Sequence, residues 1–167
     1  RAVGGSALRN QGAKGMVKTA RSYLETIDLK KLAKCNERQY LVELDRMTKS
    51  LAAKFPGGGA GNWGAARKSI NIFLFACSRE LMFSRAYGLH RLQPFMELPL
   101  DKYAIQHLRR VAQSAKEKEL VNEWQAIRRL TKPLSNRIQK FAAKVAKQAG
   151  CHRCELDLVA WTTRSEN

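Results

Sequence analysis

Apolar residues recur every three or four positions along nearly the whole chain. Met16, Ala20, Tyr23, Leu24 and Ile27 make one such set, and Tyr40, Leu41, Leu44, Met47 and Leu51 the next. Ile70, Phe73, Leu74, Cys77 and Leu81 follow, then Ala104, Ile105, Leu108, Val111 and Ala112, then Leu120, Trp124 and Ile127, then Ile138, Phe141, Ala142, Val145 and Ala149. That spacing puts one stripe on each of a series of helices, which must bury their stripes against one another. No pair of segments alternates as strands do, and no internal repeat is visible. The fold class is therefore all-α, a compact helical domain, and 167 residues suffice for one domain with a real core.

Local punctuation sets the helix boundaries. Asn36 with Gln39 three residues on has the form of a capping box. Pro56-Gly57-Gly58-Gly59 stops the helix so opened, and Gly61 and Gly64 prolong the turn. The next helix, about 64–83, is the most hydrophobic; Ile72 and Phe75 widen its stripe, so it is expected at the centre. A loop holding Gly88, Pro94 and Pro99 is expected over 87–100, and Asp101 stands where an N-cap belongs. Pro133 suits a first helical turn, Gly150 a helix end, and Leu156, Val159 and Trp161 a short packed final helix. The division is a basic, flexible arm over 1–15 and one helical domain over 16–167. Within the latter, a helix-hairpin-helix unit spans about 36–83, an aspartate-led helix 101–115, and C-terminal helices 116–167.

Charge narrows the partner. Thirty-one Lys and Arg against 14 Asp and Glu give a formal net charge of +17. Such an excess favours a polyanion, because neutralised phosphates release counterions. Nucleic acid is the expected partner, double-stranded DNA first. No run of 18 apolar residues is present, so no membrane span is expected, and residues 1–15 lack an apolar signal core. An intracellular protein is expected. Of the cysteines Cys35, Cys77, Cys151 and Cys154, only the last two form a C-x-x-C pair. His152 would make a third ligand, but a fourth is not evident, so reduced thiols, no metal and no cofactor are expected. The oligomeric state is open, with a monomer favoured.

The chemistry-bearing stretch is Gly64-Ala65-Ala66-Arg67-Lys68-Ser69-Ile70-Asn71, a glycine turn feeding a lysine into the start of an apolar helix. Downstream, Leu98-Pro99-Leu100-Asp101-Lys102-Tyr103 puts an aspartate at another helix start. Over about 36–112 this arrangement resembles the helix-hairpin-helix DNA glycosylases of the endonuclease III-like superfamily. In that family L-P-G-x-G-x-K-T-A-N precedes an apolar helix and V-D-T-H follows. Gly64, Lys68 and Asn71 match; Asn62-Trp63 stands for Leu-Pro, Ala66 for the second glycine, Ser69 for Thr, Ile70 for Ala and Tyr103 for His. The gap between Lys68 and Asp101 is longer than the family's, which implies an insertion around 78–94.

The resemblance implies a base-excision glycosylase with abasic-site lyase activity. Lys68 would be the nucleophile and Asp101 its assistant, acting on a damaged or modified base flipped out of the duplex. Attack needs an unprotonated amine, which burial and nearby positive charge such as that of Arg67 favour. Asn62, Trp63, Gly64, Ala66 and Arg67 would hold a phosphate at the turn, as helix starts bind anions. Arg109, Arg110, Arg137, Lys140, Lys144 and Lys147 would track the backbone, the last four forming one stripe. Each has an ordinary reading as well. Helix-start lysines and capping aspartates are common, and a basic stripe is usually a solvated face. Trp63 can pack or wedge between bases, Tyr103 can line a base pocket or pack, and His107 is expected to be solvated or packed. The rival functions are a non-catalytic DNA- or RNA-binding module and a basic ribosome-associated protein.

Overall fold

A computed structural model describes residues 3–5, 7–8, 11–12 and 14–162, the side chains of 161 and 162 excepted. It is built from helices, with no strand among the described residues. The first is α1 (Met16–Leu24), followed by the single-turn α2 (Leu29–Ala33) and the long α3 (Glu37–Lys54). The capping box forms: Asn36 Oδ1 accepts from Gln39 N at 2.9 Å, and Gln39 Oε1 accepts from Asn36 N at 3.0 Å. Such caps are worth about 1 kcal/mol and fix where the helix starts. Tyr40, Leu44, Met47 and Leu51 then fall on one face and are buried.

The glycine turn leads into α4 (Trp63–Arg79), started by Asn62, whose Oδ1 accepts from Ala65 N at 3.0 Å. Buried residues run almost without a break from Gly64 to Asn71, which makes α4 the central helix. Its stripe is shorter than the sequence predicts. Glu80 has extended backbone and its carboxylate accepts from Phe83 N at 2.8 Å, so α4 ends at Arg79 and α5 (Leu81–Tyr87) begins. Leu81, expected in the core, is 59% exposed.

The expected loop over 87–100 is partly ordered into a 3-10 turn, Leu89–Leu92, and is well buried at Leu89, Leu92, Met96, Leu98 and Leu100. Then come α6 (Lys102–Val111), which stops short of the predicted residue 115, and α7 (Ala115–Asn122), capped by Ser114 with Glu117. The sequence grouped Leu120, Trp124 and Ile127 as one helix. The structure splits them between α7 and a 3-10 turn at Ile127–Arg129. The long α8 (Lys132–Gln148) carries Pro133 in its first turn, and Gly150 just beyond it has φ +67°. A turn at Arg153–Glu155 leads to α9 (Leu156–Thr162), which packs on α6. Trp124 is in the core as expected, whereas the Trp161 side chain lies outside the described residues. None of the helices described is long and apolar enough to cross a membrane.

The N-terminal segment corrects the sequence reading. Its described residues are not a free arm: Val3 and Leu8 are 2% and 5% exposed. Arg21 Nε donates to Val3 O at 2.8 Å, and Asn62 Nδ2 donates to Gln11 O at 2.9 Å. The two glycines between these apolar anchors hid them from a periodicity argument.

Candidate active site

Lys68 lies in the second turn of α4, and Asp101 is the N-cap of α6. Thirty-three positions apart in sequence order, they meet: Lys68 Nζ is 3.1 Å from Asp101 Oδ2, with the two side chains only 8% and 11% exposed. Local chemistry orients both. Asp101 Oδ1 accepts from Tyr103 N at 2.9 Å and Ala104 N at 3.0 Å, which turns Oδ2 toward the lysine. Lys68 Nζ also donates to the carbonyl of Ala7 at 3.3 Å, so the N-terminal segment forms one wall of the site.

The approach to Asp101 is held from behind. Gln139 of α8 clasps Leu98, donating from Nε2 to its carbonyl at 2.7 Å and accepting its N–H on Oε1 at 3.1 Å. Arg153 donates to the carbonyls of Phe95 at 2.9 Å and Met96 at 3.2 Å. With these groups satisfied, an extended stretch can sit inside the core and deliver Asp101 at a fixed height.

A third ionisable group lies within electrostatic reach of the pair. Asp157, half-buried in the first turn of α9, is acted on by the charges of both Asp101 and Lys68. Burial, first, and the Asp101 carboxylate, second, push its carboxyl up to about 6; Lys68 opposes them. The sequence reading missed Asp157. The available signal was an acid alone in the apolar run Leu156-Asp157-Leu158-Val159-Ala160, a pattern that tends to be buried and partnered.

The residues assigned to the phosphate grip fare differently. Arg67 points into the protein: Nε and Nη2 bond the two oxygens of Glu97 at 2.8 and 3.0 Å, and Nη1 bonds Asp45 at 2.9 Å and Thr48 at 3.1 Å. Its charge is answered by two carboxylates inside the protein, and its side chain is 4% exposed, so it does not present its guanidinium at the surface. Glu97, another acid isolated in an apolar run, was the partner the sequence reading did not see. Asn62 is buried and spends both ends of its side chain inside the protein, on Ala65 N and Gln11 O. Gly64 and Ala66 are buried, and a Cβ on Gly64 would lie 2.0 Å from the carbonyl oxygen of Ile127. That face of the turn is packed against the Ile127–Arg129 turn. Trp63, half-buried, packs with the Arg67 guanidinium 5.2 Å from its ring centre.

The helix-face cations divide. Arg109 staples the end of α7, donating to Val121 O at 3.4 Å and Trp124 O at 3.3 Å. Arg137 pairs with Glu123, and Lys144 with Glu117 at 2.7 Å. The Lys144 bond, with backbone N–H groups of Ser114 and Gln113, holds the Glu117 carboxyl down at about 2. Half of the α8 stripe thus answers acids in and just after α7 that lie beyond the reach of a helical-spacing argument. Arg110, Lys140 and Lys147 are exposed, and Arg128 reaches Gly58 O at 3.3 Å beside the glycine turn. Tyr103 is half-buried next to Asp101. His107 is pushed below the usual imidazole value by burial and by Arg110.

The C-x-x-C pair carries no thiolate character. Cys154 is buried, donates to Gln93 O at 3.7 Å and is pushed up to about 12 by burial; burial also raises Cys151. Among the described residues no group of three or more His, Cys, Asp or Glu side chains could hold a metal ion. Comparison with protein-family models, curated proteins and solved structures found no match, so the site is read from its own geometry.

Proposed function

We propose that the chain is a DNA base-excision glycosylase with abasic-site lyase activity. The observation that carries the reading is the Lys68–Asp101 contact: two helix starts deliver an amine and a carboxylate to 3.1 Å inside a largely dry site. The net charge of +17 supports a polyanionic substrate. A base within a duplex is out of reach of such a site, so the nucleotide is extruded into it. The Lys68 amine attacks C1′ of the sugar, and the C1′–N bond breaks with its electron pair leaving on the base. Asp101 stabilises the positive charge that develops at the sugar. Opening of the C1′–O4′ bond then gives a protonated Schiff base, from which loss of a C2′ proton expels the 3′-phosphate and nicks the strand. Arg110, Lys140, Lys147 and Arg128 replace the buried Arg67 as the phosphate contacts of this reading.

Borohydride reduction in the presence of duplexes with damaged, modified or abasic nucleotides tests it. A covalent adduct in the wild type and none in Lys68→Ala is the expected result. No adduct on any duplex of the panel, the abasic one included, refutes it. A second reading is favoured by the Ala7 carbonyl on Nζ, which makes Lys68–Asp101 look like a closed structural ion pair in a non-catalytic nucleic-acid-binding protein. That reading requires salt-dependent binding unchanged in Asp101→Asn and no strand scission.

A further inference from the structure

A second surface lies at the end of the α3–α4 pair away from Lys68. These two helices pack along each other, and α2, which precedes α3, touches α5, which follows α4. The start of α3 and the end of α4 therefore share one end of the molecule. Arg79, which closes α4, stands about three turns beyond Lys68, about 16 Å along the helix axis. None of the residues of α5 is buried. Leu81, Met82 and Phe83 are 59%, 77% and 46% exposed, three large apolar side chains in succession. The Phe83 ring lies nearly parallel to that of Tyr87 one turn on, with centres 6.0 Å apart and planes at 16°, so the pair offers a flat aromatic face.

The same end carries a cationic cleft. Lys31, Lys34 and Arg38 line a hollow of about 610 Å³ together with Val42, itself open to solvent. All three cations are exposed and have no ion-pair partner among the described residues. Most of the acids nearby are already engaged: Glu43 holds Arg46 at 2.8 Å, Asp28 caps α2 and Glu80 caps α5. Glu37, in the first turn of α3, stays exposed, while Arg85 and Arg91 add open positive charge on the α5 side. A partner that matches this surface must bring repeated negative charge and flat apolar area together. A single DNA strand has both, since its phosphates answer cations and its unpaired bases stack on an open ring. Within a duplex each base is covered on both faces by its neighbours, which leaves the ring nothing to stack on. A bilayer supplies charge and apolar depth, but its flat surface does not follow cations into a cleft. We propose that α5 and the Lys31–Arg38 cleft form a binding surface for single-stranded DNA, with Phe83 as stacking platform and Lys31, Lys34 and Arg38 as phosphate contacts. The choice of DNA over RNA rests on the glycosylase reading; the stacking and the phosphate contacts do not depend on Lys68 being a nucleophile.

Fluorescence anisotropy of a labelled oligothymidylate of about 12 nucleotides, added to the intact chain across a salt series, tests the surface. Phe83→Ala should weaken strand binding at least about fivefold and leave binding to an undamaged duplex unchanged. Phe83→Leu, apolar without a ring, should behave as Phe83→Ala, whereas Phe83→Trp should keep the affinity and gain indole fluorescence that the strand quenches. Replacing Lys31, Lys34 and Arg38 together by Ser should lower the salt slope for the strand by about 2, from about 0.7 for each phosphate contact. Lys68→Ala should bind the strand as wild type does. Strand binding indifferent to Phe83→Ala, equal losses on strand and duplex, wild-type binding by Phe83→Leu, or an unchanged slope in the triple variant overturns the proposal. So does binding to phosphatidylserine–phosphatidylcholine vesicles, or self-association in sedimentation, that Phe83→Ala abolishes while strand binding persists. An oligouridylate bound at least about tenfold more tightly than the oligothymidylate overturns the choice of DNA. Absence of a borohydride adduct refutes the glycosylase reading alone, because the anisotropy series uses undamaged strands and needs no chemistry at Lys68.

Discussion

Arg67→Met separates an internal anchor from a DNA contact. In the native protein Glu97 Oε2 receives Arg67 Nε at 2.8 Å and Asn71 Nδ2 at 3.2 Å, and Oε1 receives Arg67 Nη2 at 3.0 Å. Both side chains of the pair are 4% exposed. Removing the guanidinium leaves Glu97 buried with one neutral donor, and Asp45 with only the Lys132 ammonium as a charge partner. Breaking a buried pair from one side costs about 3–5 kcal/mol, because the remaining charge stays desolvated. For a chain of this size each kcal/mol moves the melting midpoint by about 2–4 °C, so Arg67→Met should melt about 6–20 °C lower. Urea unfolding followed by far-UV circular dichroism measures the loss, with an unchanged m-value showing that the compactness of the end states is unchanged. Arg67→Met with Glu97→Leu should recover much of it, since removing both charges leaves none stranded. The salt dependence of the proposed DNA binding should not change. A phosphate contact would behave in the opposite way, lowering the salt slope by about 1 with little effect on stability. A variant within about 1 kcal/mol of wild type, together with that fall in slope, would refute the internal-anchor argument.

Gly64→Ala should cost about 3 kcal/mol or more in the same unfolding assay, because its Cβ would sit 2.0 Å from a backbone oxygen that cannot easily move. Gln139→Leu should cost about 2–6 kcal/mol, about 1–3 for each of the two Leu98 backbone groups left buried without a partner, and borohydride trapping should slow as Asp101 loses its support. The raised Asp157 carboxyl makes the folded state bind a proton that the unfolded chain has already released, so its contribution is present below the ordinary aspartate value of 3.8 and is lost as pH rises through about 6. Asp157→Asn should therefore be more stable than wild type at pH 7, by about 1–3 kcal/mol, with the difference fading toward pH 4; equal stability across that range would contradict the assigned cause.

What the sequence made readable was chemistry contained within a few residues. The Asn36–Gln39 box, the Asp101 cap and Pro133 in a first turn each depend on neighbours one to three positions away, and each is found in place. The apolar period placed most of the core for the same reason. The end of α4 escaped because Glu80 caps a new helix inside a run whose hydrophobicity continues, and periodicity alone does not register a break in direction. Arg67 was misassigned because the acid that answers it is 30 residues away, across a proline-containing stretch. On α8 the stripe was real, but Glu117 of α7 and Glu123 just beyond it take two of its members. Lys68 and Asp101 were singled out by local motif, while their separation, the Ala7 carbonyl and Asp157 depend on how distant segments pack. The transferable signal is the isolated acid in an apolar run: Glu97 and Asp157 both have it, and both are drawn at least partly into the fold, Glu97 onto Arg67 and Asn71.

The Ala7 carbonyl on Lys68 has a consequence for how the molecule assembles. That bond joins positions 61 residues apart, and the carboxylate on the lysine comes from residue 101. Contacts of such span close large loops, so they form late and slow folding. Most of the chain can collapse around α3 and α4 before the cluster exists. During synthesis Asp157 emerges long after Lys68 and Asp101 have been made, and the lysine's surroundings are completed only when α9 docks on α6. A nascent or partly unfolded chain is thereby denied its complete set of charges, and a fragment ending within α8 would have the Lys68–Asp101 pair without the nearby carboxyl of α9.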